Sequence, residues 1–392
     1  MKLHIVIAFP YALGTPGGGS EDCLQTARHL RRAGMDVTLI TVTSHTASRF
    51  PRPETTGDLI GREKELSLQE QGVEVIRVAQ NPWHYFLDGI GVRKSIVALH
   101  QKKKIDFVVG WHQEAAFLPK KLKSLGIKLV MIATNGKYQE WRYASHGLRR
   151  FFRDLTVARP LQKADLIFAR SEFMKKLVQD VFQIEPGKIE VAYCGVSADF
   201  FEVGQSVGGH GDKLLFYGWW RKEKGVFDLI AALGELAQRG RKDWFLKVAG
   251  WGDAEAALAK AKACNIGENI ELLGKLSHQQ LHKEMQWADV VILPSHAESF
   301  GLAVAEAQAA ALPVIAYDVG AVPEIVQHEE TGLLVPLHNI EALTDTIDFA
   351  LSNPEKLYQM GLQGRQHCEE NFSWTKTANT MVAKLNMFSS QL

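Results

Sequence analysis

Two open, parallel α/β sheets in series are the fold that this 392-residue sequence predicts. Three observations carry that prediction. The chain is long enough for two cores, since domains usually run about 100–200 residues. Short apolar runs alternate with helical patterns from residue 3 onward, and the same rhythm restarts at residue 214. Between the two series lies VGQSVGGHGD, residues 203–212, which has few side chains able to pack a core and reads as a linker. Ligands of such sheets sit at the carboxyl ends of the strands. Two sheets facing each other are expected to place that site in the cleft between them.

Residues 3–9 read as a buried strand, followed by a Gly-rich turn and a helix over 21–33. Further strands are predicted at 37–42, 73–78, 107–110, 129–133, 166–169 and 189–192, separated by helical patterns. That order means βα units and a parallel sheet covered on both faces. Residues 46–70 are polar and contain Pro51, Pro53 and Gly57, so a long loop or lid is expected there. After the linker, strands are predicted at 214–217, 245–249, 270–273, 290–293, 314–316 and 332–335, with helices that include 226–239 and 302–311. Residues 374–388 form an amphipathic helical pattern. The domains are therefore read as 1–203 and 204–374, with 375–392 as a terminal helix.

Hydrophobic residues make up 46% and charged residues 23%, the balance of an ordinary globular protein. Met1 to Ile7 has no signal-peptide h-region and runs straight into a strand. No apolar run approaches the roughly 20 residues a spanning helix needs, and the most apolar stretch, 302–317, is interrupted by Glu306 and Pro313. Cys23, Cys194, Cys264 and Cys368 are scattered without metal-ligand spacing, so a reducing cytoplasm is expected. The net charge of +1 hides an asymmetry. Residues 1–200 hold 29 Lys and Arg against 20 Asp and Glu, whereas residues 201–392 hold 16 against 24. The basic excess gathers at Lys102-Lys103-Lys104, at Lys120, Lys121 and Lys123, and at Arg149, Arg150 and Arg153. It fits a solvated surface, anionic lipid or a phosphorylated acceptor. No recognition motif accompanies the charge, so nucleic acid is not an expected partner. The basic stretch 142–159, flanked and interleaved by Trp141, Tyr143, Phe151 and Phe152, suits the surface of a membrane. That points to a lipid-linked or cell-surface glycan acceptor and a peripheral position on the inner face.

The most informative segment is Pro294-Ser295-His296-Ala297-Glu298-Ser299-Phe300-Gly301-Leu302, with Glu306 following. It leaves a buried strand and opens a helix. The backbone N–H groups of Phe300, Gly301 and Leu302 would then stand at a helix N-terminus, an anion site suited to a diphosphate. Glu306 is expected about two turns into a very apolar helix, roughly on the side of Glu298. A carboxylate there needs partners, and the paired hydroxyls of a ribose would serve. Gly218-Trp219-Trp220-Arg221-Lys222-Glu223-Lys224-Gly225 follows the predicted strand 214–217, and Pro16-Gly17-Gly18-Gly19-Ser20-Glu21 occupies a similar strand-to-helix junction near the start. Successive glycines let backbone approach a ligand closely, and Ser20 is placed to cap the helix.

These segments resemble glycosyltransferase family 4, the retaining GT-B group, whose hallmark is two glutamates with seven residues between them, the first closely followed by Phe-Gly. Glu298, Glu306, Phe300 and Gly301 match. The resemblance implies a GT-B fold, with the terminal helix crossing back to the first domain. It also implies that Glu298 holds donor-sugar hydroxyls and Glu306 the ribose. Lys224 and Gly225 match the family's Lys-Gly pair on the diphosphate, while Trp219 stands where the family has Arg; Arg221, two residues on, is the cation expected to substitute. Gly18, Gly19 and Glu21 match a Gly-Gly-x-Glu loop facing the donor phosphates and the acceptor. His112, after the strand 107–110, matches a His near the anomeric carbon. A further family His is replaced by Thr134-Asn135-Gly136, which makes Asn135 an acceptor-side candidate. Gly218 and Gly250, the latter in a Gly-Trp-Gly turn near the expected base pocket, complete the donor set. Weaker matches, including Ser171-Glu172 and Gly320-Ala321-Val322-Pro323-Glu324, extend over nearly the whole chain.

The activity so implied is transfer of a sugar, with retention, from a UDP-, GDP- or ADP-linked donor to a glycan or lipid-linked acceptor. Neither cofactor nor metal is expected: the chain has no DxD-like acidic pair in a plausible loop and no His/Cys cluster along its sequence. No carboxylate is placed as a covalent nucleophile, which favours front-face attack with the leaving phosphate taking the acceptor proton. Two rival readings stand beside this one: a nucleotide-sugar epimerase of the same architecture, and a non-catalytic nucleotide-binding protein.

Overall fold

The computed structural model describes residues 2–9, 13, 18–42, 54–78, 84–111, 115–134, 151, 154–204 and 211–390. The chain divides into two compact units, Met1–Cys194 with Trp374–Leu392, and Gly195–Ser373.

The first unit is built on a seven-stranded sheet in the order β3-β2-β1-β4-β5-β6-β7. Its strands are β1 His4–Ala8, β2 Asp36–Val42, β3 Glu74–Val78, β4 Phe107–Gly110, β5 Lys128–Ala133, β6 Leu166–Ala169 and β7 Ile189–Val191. Every pairing is parallel. Alternation along each strand sorts the core into two faces. Val6, Ala8, Val108, Met131 and Ile167 pack into one cluster. Ile5, Ile7, Phe107, Val109, Val130, Ile132 and Phe168 pack into the other. The terminal helix Trp374–Ser390 joins that second cluster through Ala378, Met381 and Leu385, the i, i+3, i+7 stripe of an amphipathic helix.

The second unit holds a six-stranded parallel sheet in the order β10-β9-β8-β11-β12-β13. These strands are β8 Lys213–Trp220, β9 Phe245–Gly252, β10 Ile270–Gly274, β11 Val290–Leu293, β12 Val314–Tyr317 and β13 Gly332–Val335. In each sheet the strand order reverses at one place, between β1 and β4 and between β8 and β11. A crevice opens at the carboxyl ends of the strands flanking such a reversal, because the following loops leave toward opposite faces. The segments 218–225 and 294–302 follow β8 and β11; the segment containing Gly18 and Gly19 follows β1, and Trp111 follows β4.

Three expectations are corrected. Residues 54–70 are a helix, Glu54–Glu70, not a loop; Glu, Lys, Leu and Gln in its second half are good helix formers, and Leu68 is fully buried. Residues 46–53 lie outside the described residues. The units part at 194/195 rather than at 203/204, because Val196 donates its N–H to Phe372 O at 2.7 Å and pairs in a bridge with Ser373, tying this stretch to the second unit. Strands β8 and β9 run on through Trp220 and Gly252, so Gly218 and the Gly-Trp-Gly segment are ladder residues, paired Gly218 with Gly250 and Trp219 with Trp251, and not turns. Glycine at 250 makes that pairing possible: a Cβ there would lie 1.7 Å from Gly218 O.

Candidate active site

Lys224 and Glu298 meet directly. After β8 the chain forms a short 3-10 turn, Lys222–Lys224, then Gly225 in the left-handed region at φ 75°, then the helix Val226–Gln238. A Cβ on Gly225 would fall 1.8 Å from Pro294 O, so only glycine lets this turn lie against the loop after β11. On the opposite side Gly320 stands at φ 57°, where a Cβ would fall 2.0 Å from Glu298 O, and Ala321 donates its N–H to that carbonyl at 3.2 Å. The Glu298 loop is thus clamped between two backbone turns. Its side chain is 16% exposed, and Oε1 accepts a hydrogen bond from Lys224 Nζ at 2.5 Å.

Gly301, at φ 96°, caps the helix Leu302–Ala309. The first amides of this helix, from Leu302 onward, lie outside its i→i−4 ladder and carry the positive end of its dipole. Phe300, by contrast, is buried (3%) with its ring 5.5 Å from that of Phe372, so it anchors the loop in the core and does not present a face to a ligand. Glu306 sits in the second turn of the helix, half-buried beside fully buried Ala305 and Ala307. Tyr217, the residue before Gly218 in β8, donates its hydroxyl to Ala303 O at 2.5 Å. Burial, reinforced by the Glu306 charge, holds the Tyr217 phenol well above its ordinary range, so it remains a neutral donor beside that carboxylate. Arg221 is exposed and its guanidinium lies 4.1 Å from the centroid of Trp219, a cation–π contact. Trp219 in turn meets Trp251 at 4.4 Å. Arg221 thus rests on the face of the residue two positions before it.

In the first unit, Gly18 and Gly19 are exposed and already helical, in the first turn of Gly18–Arg32. Ser20 therefore lies inside the helix and does not cap it. Glu21 accepts a hydrogen bond from Gln25 Nε2 at 2.7 Å and pairs with Lys64 at 3.4 Å. His112 and Asn135 lie outside the described residues, as do Arg149, Arg150 and Arg153. Of the other basic clusters, Lys103 pairs with Asp36 and Lys104 with Asp106, while Lys120 and Lys123 are exposed. No helix among the described residues is long and apolar enough to cross a membrane.

Two groups escaped the sequence reading. Asp22 (3% exposed) and Arg170 (1%) form a buried ion pair at the carboxyl end of β6. Trp111 Nε1 donates to the same carboxylate at 3.0 Å. In the second unit Asp228, His296, Tyr317 and His338 converge, with His296 Nε2 and the Tyr317 hydroxyl 3.0 and 3.1 Å from Asp228 Oδ2. A charged residue ending an apolar strand, as Arg170 does, was the available sign of the first group; the second is spread over more than a hundred residues and has no linear signature.

Two such sheets, with an acid–lysine pair and a helix N-terminus gathered at the second switch point, define a glycosyltransferase of the GT-B fold. Family models for "Glycosyltransferase Family 4" and "Glycosyl transferases group 1" match residues 16–200 and 205–367. The chain belongs to this glycosyltransferase family. It is 27% identical to a D-inositol 3-phosphate glycosyltransferase of Gordonia bronchialis over 408 residues, covering 94% of this chain and 84% of that protein. Its match to the namesake of Segniliparus rotundus, 30% identical over 234 residues, covers 56% of this chain and about half of the relative, 52%. Among solved structures, Anabaena HepE in complex with UDP-glucose superposes with a TM-score of 0.74 at 15% identity, over 99% of this chain and 100% of that one.

Proposed function

We propose that the protein transfers a sugar from a nucleotide diphosphate sugar to an acceptor hydroxyl with retention at the anomeric carbon. The observation that carries this reading is the Lys224–Glu298 pair, locked by Gly225 and Gly320 beside the N-terminus of Leu302–Ala309. A leaving diphosphate gains negative charge as the glycosidic bond breaks, and a lysine with a row of amide donors stabilises that charge. Lys224 and the helix N-terminus take this part, with Arg221 as a second cation. Glu298 accepts hydrogen bonds from hydroxyls of the sugar, and Glu306 from those of the ribose. On the first unit, Gly18, Gly19 and Glu21 serve the donor phosphates and the acceptor, His112 the anomeric carbon, and Asn135 the acceptor. Complexes of HepE with UDP and UDP-glucose support a UDP-linked donor.

No covalent sugar–enzyme ester is needed: the acceptor oxygen attacks from the face that the diphosphate leaves, and a phosphate oxygen takes its proton. The acceptor is a glycan or lipid-linked glycan, met at an anionic membrane surface by the basic first unit from the cytoplasmic side. The test is product analysis with an α-linked sugar nucleotide and a panel of acceptors. An α-linked product, and no ester on any residue by mass spectrometry, is expected. A β-linked product or a trapped ester would refute the mechanism, and donor turnover independent of acceptor would favour the epimerase.

A further inference from the structure

Two imidazoles from separate segments of the second unit converge on one carboxylate oxygen. Asp228 stands in the first turn of Val226–Gln238, His296 in the loop after β11, and His338 in the segment after β13. His296 Nε2 lies 3.0 Å from Asp228 Oδ2 and His338 Nδ1 lies 3.6 Å from the same oxygen. One ligand atom from each residue falls within 4.8 Å of the other two. The imidazoles meet nearly at right angles, 78°, with centroids 4.3 Å apart.

Hydrogen bonding alone does not account for this grouping. A carboxylate oxygen has two lone pairs, and the Tyr317 hydroxyl and His296 fill those of Oδ2 at 3.1 and 3.0 Å. His338, at 3.6 Å, is beyond hydrogen-bond length. Yet it is held there by a left-handed backbone, φ 61°, which is uncommon outside glycine. The two separations from Asp228 Oδ2, 3.0 and 3.6 Å, instead bracket what coordination needs: ligand atoms 2.0–2.1 Å from a zinc ion at tetrahedral angles lie about 3.4 Å apart.

We propose that Asp228, His296 and His338 bind one divalent transition-metal ion of the zinc class, with water completing the tetrahedron. Two imidazole nitrogens and one carboxylate select such an ion over calcium or magnesium, which take all-oxygen shells. Tyr317 orients the ligating carboxylate, as hydrogen-bonded partners of metal ligands commonly do. Binding displaces the proton on His296 Nε2. The ion would join the start of the helix after Gly225, the loop that carries Glu298 two residues on, and the chain after β13. It is a structural tie that takes no part in the chemistry proposed above, and it holds or fails apart from that chemistry.

The test uses the full chain, stripped of metal, titrated with Zn2+ by calorimetry and with Co2+ by visible absorption. One ion per chain is expected, with intense d–d bands marking a four- or five-coordinate site. His338→Ala removes a ligand whose side chain is 58% exposed, so the fold is retained, and should weaken binding about tenfold or more. Asp228→Asn, which keeps the shape and still accepts hydrogen bonds, should do the same at an unchanged unfolding midpoint without metal. His278→Ala, in a separate grouping with Asp199 and His282, should leave affinity intact. Binding below one ion per chain, an unchanged affinity in either ligand variant, or loss of affinity in His278→Ala would overturn the proposal.

Discussion

Replacing Asp22 by alanine should cost the first unit a large share of its stability. The Arg170 guanidinium donates to both oxygens of Asp22, Nη2 to Oδ1 at 2.5 Å and Nε to Oδ2 at 3.2 Å. Its remaining donors reach Thr26 Oγ1 at 2.8 Å and Ala192 O at 3.1 Å. Side-chain exposures are 1% for Arg170 and 4% for Asp22, so water cannot replace the lost carboxylate. Breaking a buried pair from one side costs about 3–5 kcal/mol. Trp111 Nε1 loses its acceptor as well, about 1 kcal/mol more. The sum of about 4–6 kcal/mol compares with a total of about 5–15 for a domain. Amide exchange in β1, β4 and β6 under native conditions reads that unit's own opening free energy. Removing both charges, Asp22→Ala with Arg170→Met, leaves no orphaned guanidinium and should recover part of the loss. Protection in Asp22→Ala within about 1 kcal/mol of wild type, or a double variant no more stable than that single one, would refute the reasoning.

The clamp on the Glu298 loop makes a second prediction. Gly225→Ala meets Pro294 O at 1.8 Å in a left-handed conformation and should cost upward of about 2 kcal/mol, roughly 4–8 °C in midpoint for a domain of this size; a calorimetric midpoint within about 1 °C of wild type would contradict it. Lys224→Met should leave stability nearly unchanged, since the pair is partly exposed, but lower UDP affinity about 10- to 100-fold by calorimetry. Equal affinity would remove Lys224 from the diphosphate site. His29 sets a pH dependence. Burial lowers its pKa below the ordinary 6.5 despite the hydrogen bond to Gln25 O. The unfolded chain then binds the proton more readily, so stability is whole above about pH 6.5 and declines as pH falls below it. His29→Gln should flatten the loss of midpoint between about pH 7 and 5; an unchanged slope would sink this assignment.

The layout of both sheets was legible because buried parallel strands are short apolar runs, and each predicted strand is present. Turn chemistry misled where glycine is involved. Gly218 and Gly250 read as loop residues, yet the missing side chain of Gly250 is what lets β8 and β9 pair three residues further. In the same way Pro51, Pro53 and Gly57 obscured the helical content that follows them. The Glu298–Glu306 spacing and Lys224 were readable because each lies on a strand-to-helix junction, after β11 and after β8, with its pattern unbroken in the sequence. The partners that hold those junctions were not. Tyr217, Asp228, Tyr317 and His338 reach the site through tertiary packing, and nothing local marks them.

The central claim is that the second unit grips an activated sugar through Glu298, Lys224 and Glu306. A thermal-shift series with UDP-, GDP- and ADP-sugars on wild type and Glu306→Ala tests it most directly. A ligand at about a hundred times its dissociation constant adds about 2.7 kcal/mol, so at least one sugar nucleotide should raise the wild-type midpoint by several degrees and the Glu306→Ala midpoint far less. A wild-type midpoint unmoved by every sugar nucleotide, or an equal shift in both proteins, would contradict the account.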